Sequence, residues 1–595
     1  MPSMPKDPLC RVCYIDLTRR SSWVEERPEL FEAGLGGTGV GIRLLEEECP
    51  QGADPLGPDN PIILAVGPLV GHFPLASKTV ALFKSPHTGN LGESHAGGRS
   101  AVAIRMAGYG AIVIRGASTL PIYLVVEDGQ VRFHDASALW GMRSSYTIGS
   151  VLRRRESGSG LRSIMRIGRA GERQVSYACV ITETYRHFGR LGLGAVFGSK
   201  QLKALVVGGK RSLPVADRPA YRQAYDEIFK AATGSLLMKK YHDLGTPMGI
   251  LPLDAIGGLP TRNLQSGRFE GAEAISGERL AEEYLGRRVA CTHCPVACIH
   301  LAALRIPYPN DPYFYKTMML GYDYELIYAM GSMLGIDDVS GMLRLMDEAE
   351  IQGLDAMSTG VVLAWATEAL ERGMISTQET DGLALAWGDY PSYIQAVKRI
   401  VTQPNAFYSA LARGVEHAAS VYGGEGFALA MGGNEMPGYH TGAGGYLGYL
   451  VGARHSHLDN AGYSLDQKVA ATGEILTPQG MIDALLAEER WRQVLTSLTV
   501  CLFARGIYTS EVVLKALAAV GFDRSAEDLE RLGIETLHRK QSFKGREGFE
   551  WAQLRLPRRI FETAAPAGPF DEDFMREAIA YIENQQSQPC GLATE

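Results

Sequence analysis

The hydrophobic period of this chain changes once along its length, and that change limits the architectures open to it. Up to about residue 210 the apolar residues fall in short β-type runs cut by glycine: Ile62–Val66, Thr79–Phe83, Ala111–Ile114 and Ile122–Glu127. The last run meets Asp128-Gly129 and then Val131–His134, a two-residue hairpin signal, because Asp-Gly supplies the positive φ of a tight turn. Ser163–Gly168 and Leu202–Gly208 continue the series. After a Pro214–Pro219 linker the spacing shifts toward 3.6. Tyr221–Ala232, Glu325–Met333, Val339–Ala349, Val361–Arg372 and Tyr393–Ile400 then read as helices, with Asp337 or Asp338 as an N-cap and Gly353 as a stop. Helical spacing returns at Gln479–Leu486 and Glu511–Val520 after a glycine-rich interruption over 423–462. The expected class is α+β. A β-rich domain over 1–210 precedes two mainly helical domains, 211–420 and 421–595, with no internal repeat and a frayed tail from Gln585.

Glycine supplies 69 of the 595 residues, about 12% against a typical ~7%, so parts of the chain need tight turns or close backbone approach. The 59 Lys and Arg against 66 Asp and Glu give a formal charge of −7, which makes no electrostatic case for nucleic acid or an anionic membrane as partner. The apolar runs break well short of the ~20 residues that span a bilayer. MPSMPKDPLC has no apolar signal region, and Arg19-Arg20 is followed by polar residues, so we read the chain as cytoplasmic. Small molecules or other proteins are the expected partners.

Three of the nine cysteines crowd into Cys291-Thr-His-Cys294-Pro-Val-Ala-Cys298. Thiolates this close grip one metal centre, with a fourth ligand from elsewhere. Spacing leaves an iron–sulfur cluster and a zinc site both open, since His293 or His300 would complete a tetrahedral set. Cys501, at the edge of an apolar segment, reads either as a distant thiolate or as a core cysteine, and Cys10 and Cys13 read as structural. The segment GLGGTGVG suits a phosphate-binding loop but lacks the strand before it and the acidic residue after it that a dinucleotide fold requires.

In their order and spacing, GPLVGHFPLASKTVALFKSPHTGNLGESHAGG, MAGYGAIVIRGAS, GRLGLGAVFGSKQLKALVV, CTHCPVAC, YDYELIYAMGSMLGIDD, GLDAMSTG and Cys501 resemble the tungsten-containing aldehyde:ferredoxin oxidoreductase family over nearly the whole chain. The resemblance implies a β-rich base carrying two pyranopterins that hold tungsten or molybdenum, with two helical domains over the metal. It also implies a [4Fe–4S] cluster on Cys291, Cys294, Cys298 and Cys501 as electron exit. Lys78 matches the basic residue between cluster and pterin, usually arginine, and loses the planar fork. His95, with Ala96 and Gly97 beside it, matches the loop whose backbone carbonyl helps hold a Mg2+ bridging the pterin phosphates. Phe188–Gly194, including Arg190 and Gly194, matches a phosphate loop. Of two pterin-contacting D-x-x-G-L-(D/C) segments, the first matches Glu350, Gly353, Leu354 and Asp355; the second, Thr496 to Val500 and Cys501, has lost its acid and its glycine.

The family's metal-proximal glutamate matches Glu325, which also begins an apolar helix and is therefore a candidate for a raised pKa and proton transfer. Its active-site histidine matches His457, with His455 as the second candidate, and His440 stands where an aspartate is common, at the expected substrate pocket. The implied reaction oxidises an aldehyde or related carbonyl compound to the acid. Electrons pass singly to a ferredoxin or an iron–sulfur subunit, in a homo- or hetero-oligomer. Aromatic-thioester chemistry and a non-catalytic electron-transfer subunit are the alternatives.

Overall fold

The computed structural model describes residues 8–587 except 159, 184 and 309. The β-rich part forms two sheets of six strands. The first runs β2-β1-β6-β3-β4-β5, from β1 (Arg11–Asp16), β2 (Ser21–Glu26), β3 (Ile62–Ala65), β4 (Thr79–Lys84), β5 (Leu91–Ala96) and β6 (Ala111–Arg115). The second runs β11-β10-β9-β12-β7-β8, from β7 (Ile122–Glu127), β8 (Gln130–Asp135), β9 (Leu161–Ile167), β10 (Val180–Ile181), β11 (His187–Phe188) and β12 (Leu202–Gly209). Each sheet holds one parallel pair, β1 with β6 and β7 with β12, so two equal sheets share a plan that no sequence repeat announces. The Asp-Gly hairpin forms as expected, Glu127 facing Gln130, with φ of 51° at Asp128 and 77° at Gly129. Every residue of β3 and β4 is buried, which accounts for their unbroken apolar runs.

GLGGTGVG is a helix start rather than a phosphate loop. The helix Gly37–Glu48 presses its first turn on the segment 496–499, where Gly39 N–H donates to Ser497 Oγ at 3.0 Å. A Cβ on Gly37 would fall inside the contact radius of the Thr496 carbonyl oxygen, so the glycines serve backbone packing.

The helical readings hold within a turn or so for the most part: Arg218–Gly234, Tyr324–Met330, Val339–Gln352, Ala356–Glu371, Tyr390–Thr402, Pro478–Ser497 and Ser510–Ala519. Asp338 is the N-cap of Val339–Gln352, accepting from Ser340 N, and Gly353 ends it at φ 80°. The helical part nevertheless contains a sheet, β13 (Leu285–Val289), β14 (Ile299–Tyr308) and β15 (Asp311–Tyr322), in that order. β14 starts one residue after Cys298, and β15 ends just before Asp323, which caps the helix bearing Glu325. The glycine-rich stretch 423–462 likewise contains a helix, Ala443–Val451. Buried residues on both sides of residue 420, among them Leu411, Val415, Phe427 and Met431, belong to one continuous core. No helix among the described residues is long and apolar enough to cross a membrane.

Candidate active site

A cavity of about 480 Å³ lies where the loops of the two sheets meet the helices. Its sheet side carries Lys78, Glu93, His95, Gly97, Arg186 and Arg190; its helical side carries Glu325, Glu350, Asp355, Tyr439, His457 and Tyr463. Glu325 follows the N-cap Asp323, whose carboxylate accepts from Leu326 N. Its Oε2 accepts from Gly438 N at 3.2 Å, and its Oε1 lies 3.3 Å from His457 Nε2. His457 opens the short helix His457–Asn460, held by a Ser456–Asp459 capping box. Burial pushes Glu325 up to about 8, aided by Asp323 and opposed by the Gly438 N–H. Burial, then Arg190, pushes His457 down to about 3. At neutral pH the pair therefore carries its proton on the carboxyl rather than on the ring, and Glu325 Oε1 stands 3.3 Å from Nε2 with no hydrogen bond formed between them. His457 Nδ1 is likewise buried and has no hydrogen-bond partner among the described residues.

Arg190 enters the cavity from a left-handed backbone (φ 46°) and donates one Nη to the Glu435 carbonyl. Its Nε and other Nη are buried with no hydrogen-bond partner among the described residues. Asp355 lines the cavity and also caps the helix Ala356–Glu371, accepting from Ser358 N at 2.8 Å. Glu350 pairs with His187 at 2.8 Å. His95 lies in β5, opposite Val80, and its Nε2 is 2.6 Å from Glu93 Oε1.

The cysteine run and Cys501 are tied to one stretch of the N-terminal domain. Leu75 N–H donates to His293 O, Thr292 N–H to Gly98 O, and Cys501 N–H to Leu75 O, while Ala76 bridges Val500. A Cβ on Gly97 would stand 2.8 Å from Cys291 Sγ and 3.4 Å from Lys78 Nζ, so the thiol and the cavity-lining lysine meet over this glycine. Burial works against the charge of Arg186, but Cys298, Cys291, Asp323 and Cys501 outweigh it and raise its pKa. Both ring nitrogens of His300 face backbone carbonyls, Cys298 O at 3.2 Å and His242 O at 2.9 Å, which takes His300 out of a Cys3His set.

The family model for the aldehyde ferredoxin oxidoreductase N-terminal domain matches residues 12–209, and the model for domains 2 and 3 of that enzyme matches 223–583. The chain belongs to the aldehyde ferredoxin oxidoreductase family. It is 32% identical over 575 residues to a tungsten-containing aldehyde ferredoxin oxidoreductase of Thermococcus kodakarensis, covering 94% of this chain and 92% of that one. The Pyrococcus furiosus protein of the same description is 31% identical over the same shares. An aliphatic sulfonate oxidoreductase, WOR-like subunit, of Pyrococcus furiosus is 30% identical over 422 residues, 68% of this chain and 66% of the relative. Among solved structures, the active-site complex BamBC of benzoyl coenzyme A reductase with 1,5-dienoyl-CoA superposes with a TM-score of 0.77 at 20% identity, over 98% of this chain and 94% of that one; the likeness is one of fold. The chain is an oxidoreductase, an enzyme of the aldehyde ferredoxin oxidoreductase kind.

In this family member the cavity gathers Lys78, His95, Gly97, Arg190, Glu325, Glu350, Leu354, Asp355 and His457. It does not gather the rest of the expected set. Ala96 packs into the sheet core, and Gly194 packs on the backbone of Ala178 and Cys179. Gly353 is the helix stop behind Leu354, and Val500 is core. His455 turns away at φ 54°, with Nδ1 on Tyr449 O at 2.9 Å and Nε2 on Lys544 Nζ at 2.8 Å. His440 also leaves the pocket, bonding Tyr446 Oη and the carbonyls of Thr563 and Ala564. The sequence reading missed Arg186, Glu93, Arg454 and a run of tyrosines. Tyr439 stacks on Tyr463 at 4.5 Å and Tyr324 at 4.9 Å, with His457 at 5.2 Å. The one signal for the tyrosines was their density in YDYE and PGYHTG.

Proposed function

We propose that the chain oxidises an uncharged aldehyde to the carboxylic acid at a tungsten or molybdenum centre held by two pyranopterins. Electrons leave through a [4Fe–4S] cluster on Cys291, Cys294, Cys298 and Cys501 to a ferredoxin-like acceptor in the cytoplasm. The observation that carries this reading is the close approach of Glu325 and His457, 3.3 Å apart, in a cavity that also holds Arg190. The residues suit such a cofactor: two buried Arg190 nitrogens without hydrogen-bond partners, with Lys78 nearby, are donors awaiting an anionic, phosphate-rich group. A Mg2+ bridging the pterin phosphates, with the His95 carbonyl among its ligands, belongs to the same proposal; its support is the place of His95 on the cavity wall.

When bound, the metal centre supplies the two-electron oxidation that no side chain here provides. Glu325, once ionised, takes the proton from the attacking water, and the His457 Nδ1–H donates to the carbonyl oxygen as negative charge builds. The stacked tyrosines and the Tyr241–Phe503 pair, 4.6 Å apart, exclude water and favour an uncharged substrate. The relative named as a subunit supports a companion chain, and an iron–sulfur chain in that place is the other acceptor we propose. Anaerobically purified protein should contain tungsten or molybdenum with iron, and should oxidise aliphatic and aromatic aldehydes with a viologen dye or ferredoxin but not with NAD alone. Turnover with NAD and the single chain, or full metal content without aldehyde oxidation, would overturn the reading.

A further inference from the structure

Away from the active cavity, the C-terminal part of the chain encloses a second cavity of about 320 Å³, walled by Gln541, Lys544, Phe549, Glu550, Trp551 and Glu583. It opens to solvent past Gly545 and Glu550, both exposed. Three elements build it. The helix Ala526–Arg546 contributes Gln541 and Lys544, three residues apart and therefore on one face. The segment that follows contributes Phe549, Glu550 and Trp551, and the helix Glu572–Ser587 contributes Glu583. The amine and the amide thus come from one element, and both acids from the other two.

Lys544 is 1% exposed, and a lysine this buried is normally paired with a carboxylate. Among the described residues no carboxylate lies within ion-pair distance of its ammonium, which donates instead to His455 Nε2 at 2.8 Å. The other ring nitrogen of His455 carries the proton, donated to Tyr449 O at 2.9 Å. The ammonium stands 3.9 Å from the centre of the Phe549 ring and 5.9 Å from that of Trp551, the two rings that line the cavity. Gln541 Nε2, one turn away, is buried and has no hydrogen-bond partner among the described residues. An ammonium without a counter-ion and an amide N–H without an acceptor, side by side on a cavity wall, suit a carboxylate placed between them. Burial pushes Lys544 down to about 7 against the pull of Asp459 and Glu489, as expected where no counter-ion sits beside it.

A bare carboxylate would not suit the rest of the cavity, because two acids, Glu550 and Glu583, line it against one lysine. A bare amine would not suit Lys544. Glu550 is steadied within its own turn by Gln553 Nε2, which donates to it at 2.6 Å, and Phe549 and Trp551 meet edge to face at 5.0 Å, offering an apolar surface. We propose that this cavity binds a free α-amino acid with an apolar side chain, its carboxylate on Lys544 and Gln541, its ammonium toward Glu550 and Glu583, and its side chain against Phe549 and Trp551. The volume stands at the lower edge of the ~300–1,000 Å³ usual for small-molecule pockets, as a ligand of that size requires. The site shares no lining residue with the active cavity and does not depend on the aldehyde-oxidising reading.

Calorimetric titration of the full-length holoprotein tests it, with L-leucine and L-phenylalanine beside 3-phenylpropanoate and 2-phenylethylamine, each of which lacks one of the two charges. Both amino acids should bind, one per chain, and each single-charge analogue should bind roughly tenfold or more weakly, the loss expected when one charge-assisted contact is missing. Lys544→Met keeps the apolar stem and removes the ammonium, so it should weaken L-phenylalanine by a similar factor. Glu550→Gln, at an exposed position that folding tolerates, tests the opposite charge: it should weaken L-phenylalanine but leave 3-phenylpropanoate binding no weaker. Glu325→Gln should bind L-phenylalanine as wild type does. No heat of binding from either amino acid at millimolar concentration would overturn the site. So would 3-phenylpropanoate or 2-phenylethylamine binding as tightly as L-phenylalanine, or an affinity unchanged in Lys544→Met or in Glu550→Gln. Binding lost in Glu325→Gln would place the amino acid in the active cavity and overturn it equally.

Discussion

A glutamate in the first turn of a helix ordinarily ionises easily, since the helix N-terminus favours its charge by about 0.3–1 kcal/mol. At Glu325 burial outweighs that term and keeps the proton in place up to about 8. Two outcomes follow. Glu325→Gln should lose turnover by ~10²–10⁴-fold while keeping its metals, and the wild-type rise of kcat with pH toward 8 should vanish with it; near-normal turnover in the variant would sink the assignment. In stability the sign is opposite to that of a salt-bridged acid. The unfolded carboxyl ionises in its ordinary range near 4.5 and the folded one near 8, so the stability it confers is full at acid pH and drains as pH rises between those values. Thermal unfolding should therefore show Glu325→Gln gaining on wild type as pH is raised from 5 to 8. The sequence displayed Glu325 itself, as the polar start of an apolar helix, but its partner only through family resemblance, because the two residues meet from distant parts of the chain. The resemblance prefers His457, the histidine followed by leucine, and keeps His455 second. That choice is made by the left-handed backbone at His455, which sends one ring to Lys544 and leaves the next histidine in the cavity.

Elements with a clean period were legible, and elements whose residues serve two masters were not. The Asp-Gly hairpin and the long helices follow from local pattern alone. The β14–β15 hairpin did not show, because the first four residues of β14 are all buried and its end is exposed, so neither a two-fold nor a 3.6-fold alternation survives. GLGGTGVG was legible as a place of close approach but not as to what approaches. The answer is the carbonyls of Thr496 and Ser497, at the turn that leads into Cys501. Gly37→Ala is the test at this scale. Gly37 has φ of 39°, and its new Cβ would meet Thr496 O, so the segment must shift at a cost of ~1–3 kcal/mol for overpacking. Tm should drop and iron should be lost more readily on dilution into chelator. A wild-type melting curve would show that the segment yields freely and that these glycines carry no structural duty.

Across the whole molecule, the proposed cluster sits at the seam of three stretches of chain that folding must bring together: the segment 75–98 with its strands β4 and β5, the cysteine run 291–298 and the turn 499–501. Each is pinned to the first by backbone hydrogen bonds rather than by metal alone, Leu75 to His293, Gly98 to Thr292, Thr499 to Lys78 and Leu75 to Cys501. Cys501 is thus held against the first stretch, beside the cysteine run, by backbone hydrogen bonds of its own. That arrangement separates two effects of removing it. Cys501→Ala deletes a partly buried thiol while leaving its N–H free to bond Leu75 O, so the apoprotein should fold with a Tm close to that of wild-type apoprotein. The holoprotein should instead hold well less iron than wild type, with weaker visible absorbance, and should lose the added Tm that bound metal gives by mass action. Iron content and absorbance unchanged in Cys501→Ala would remove it from the ligand set and return it to the reading of a core cysteine.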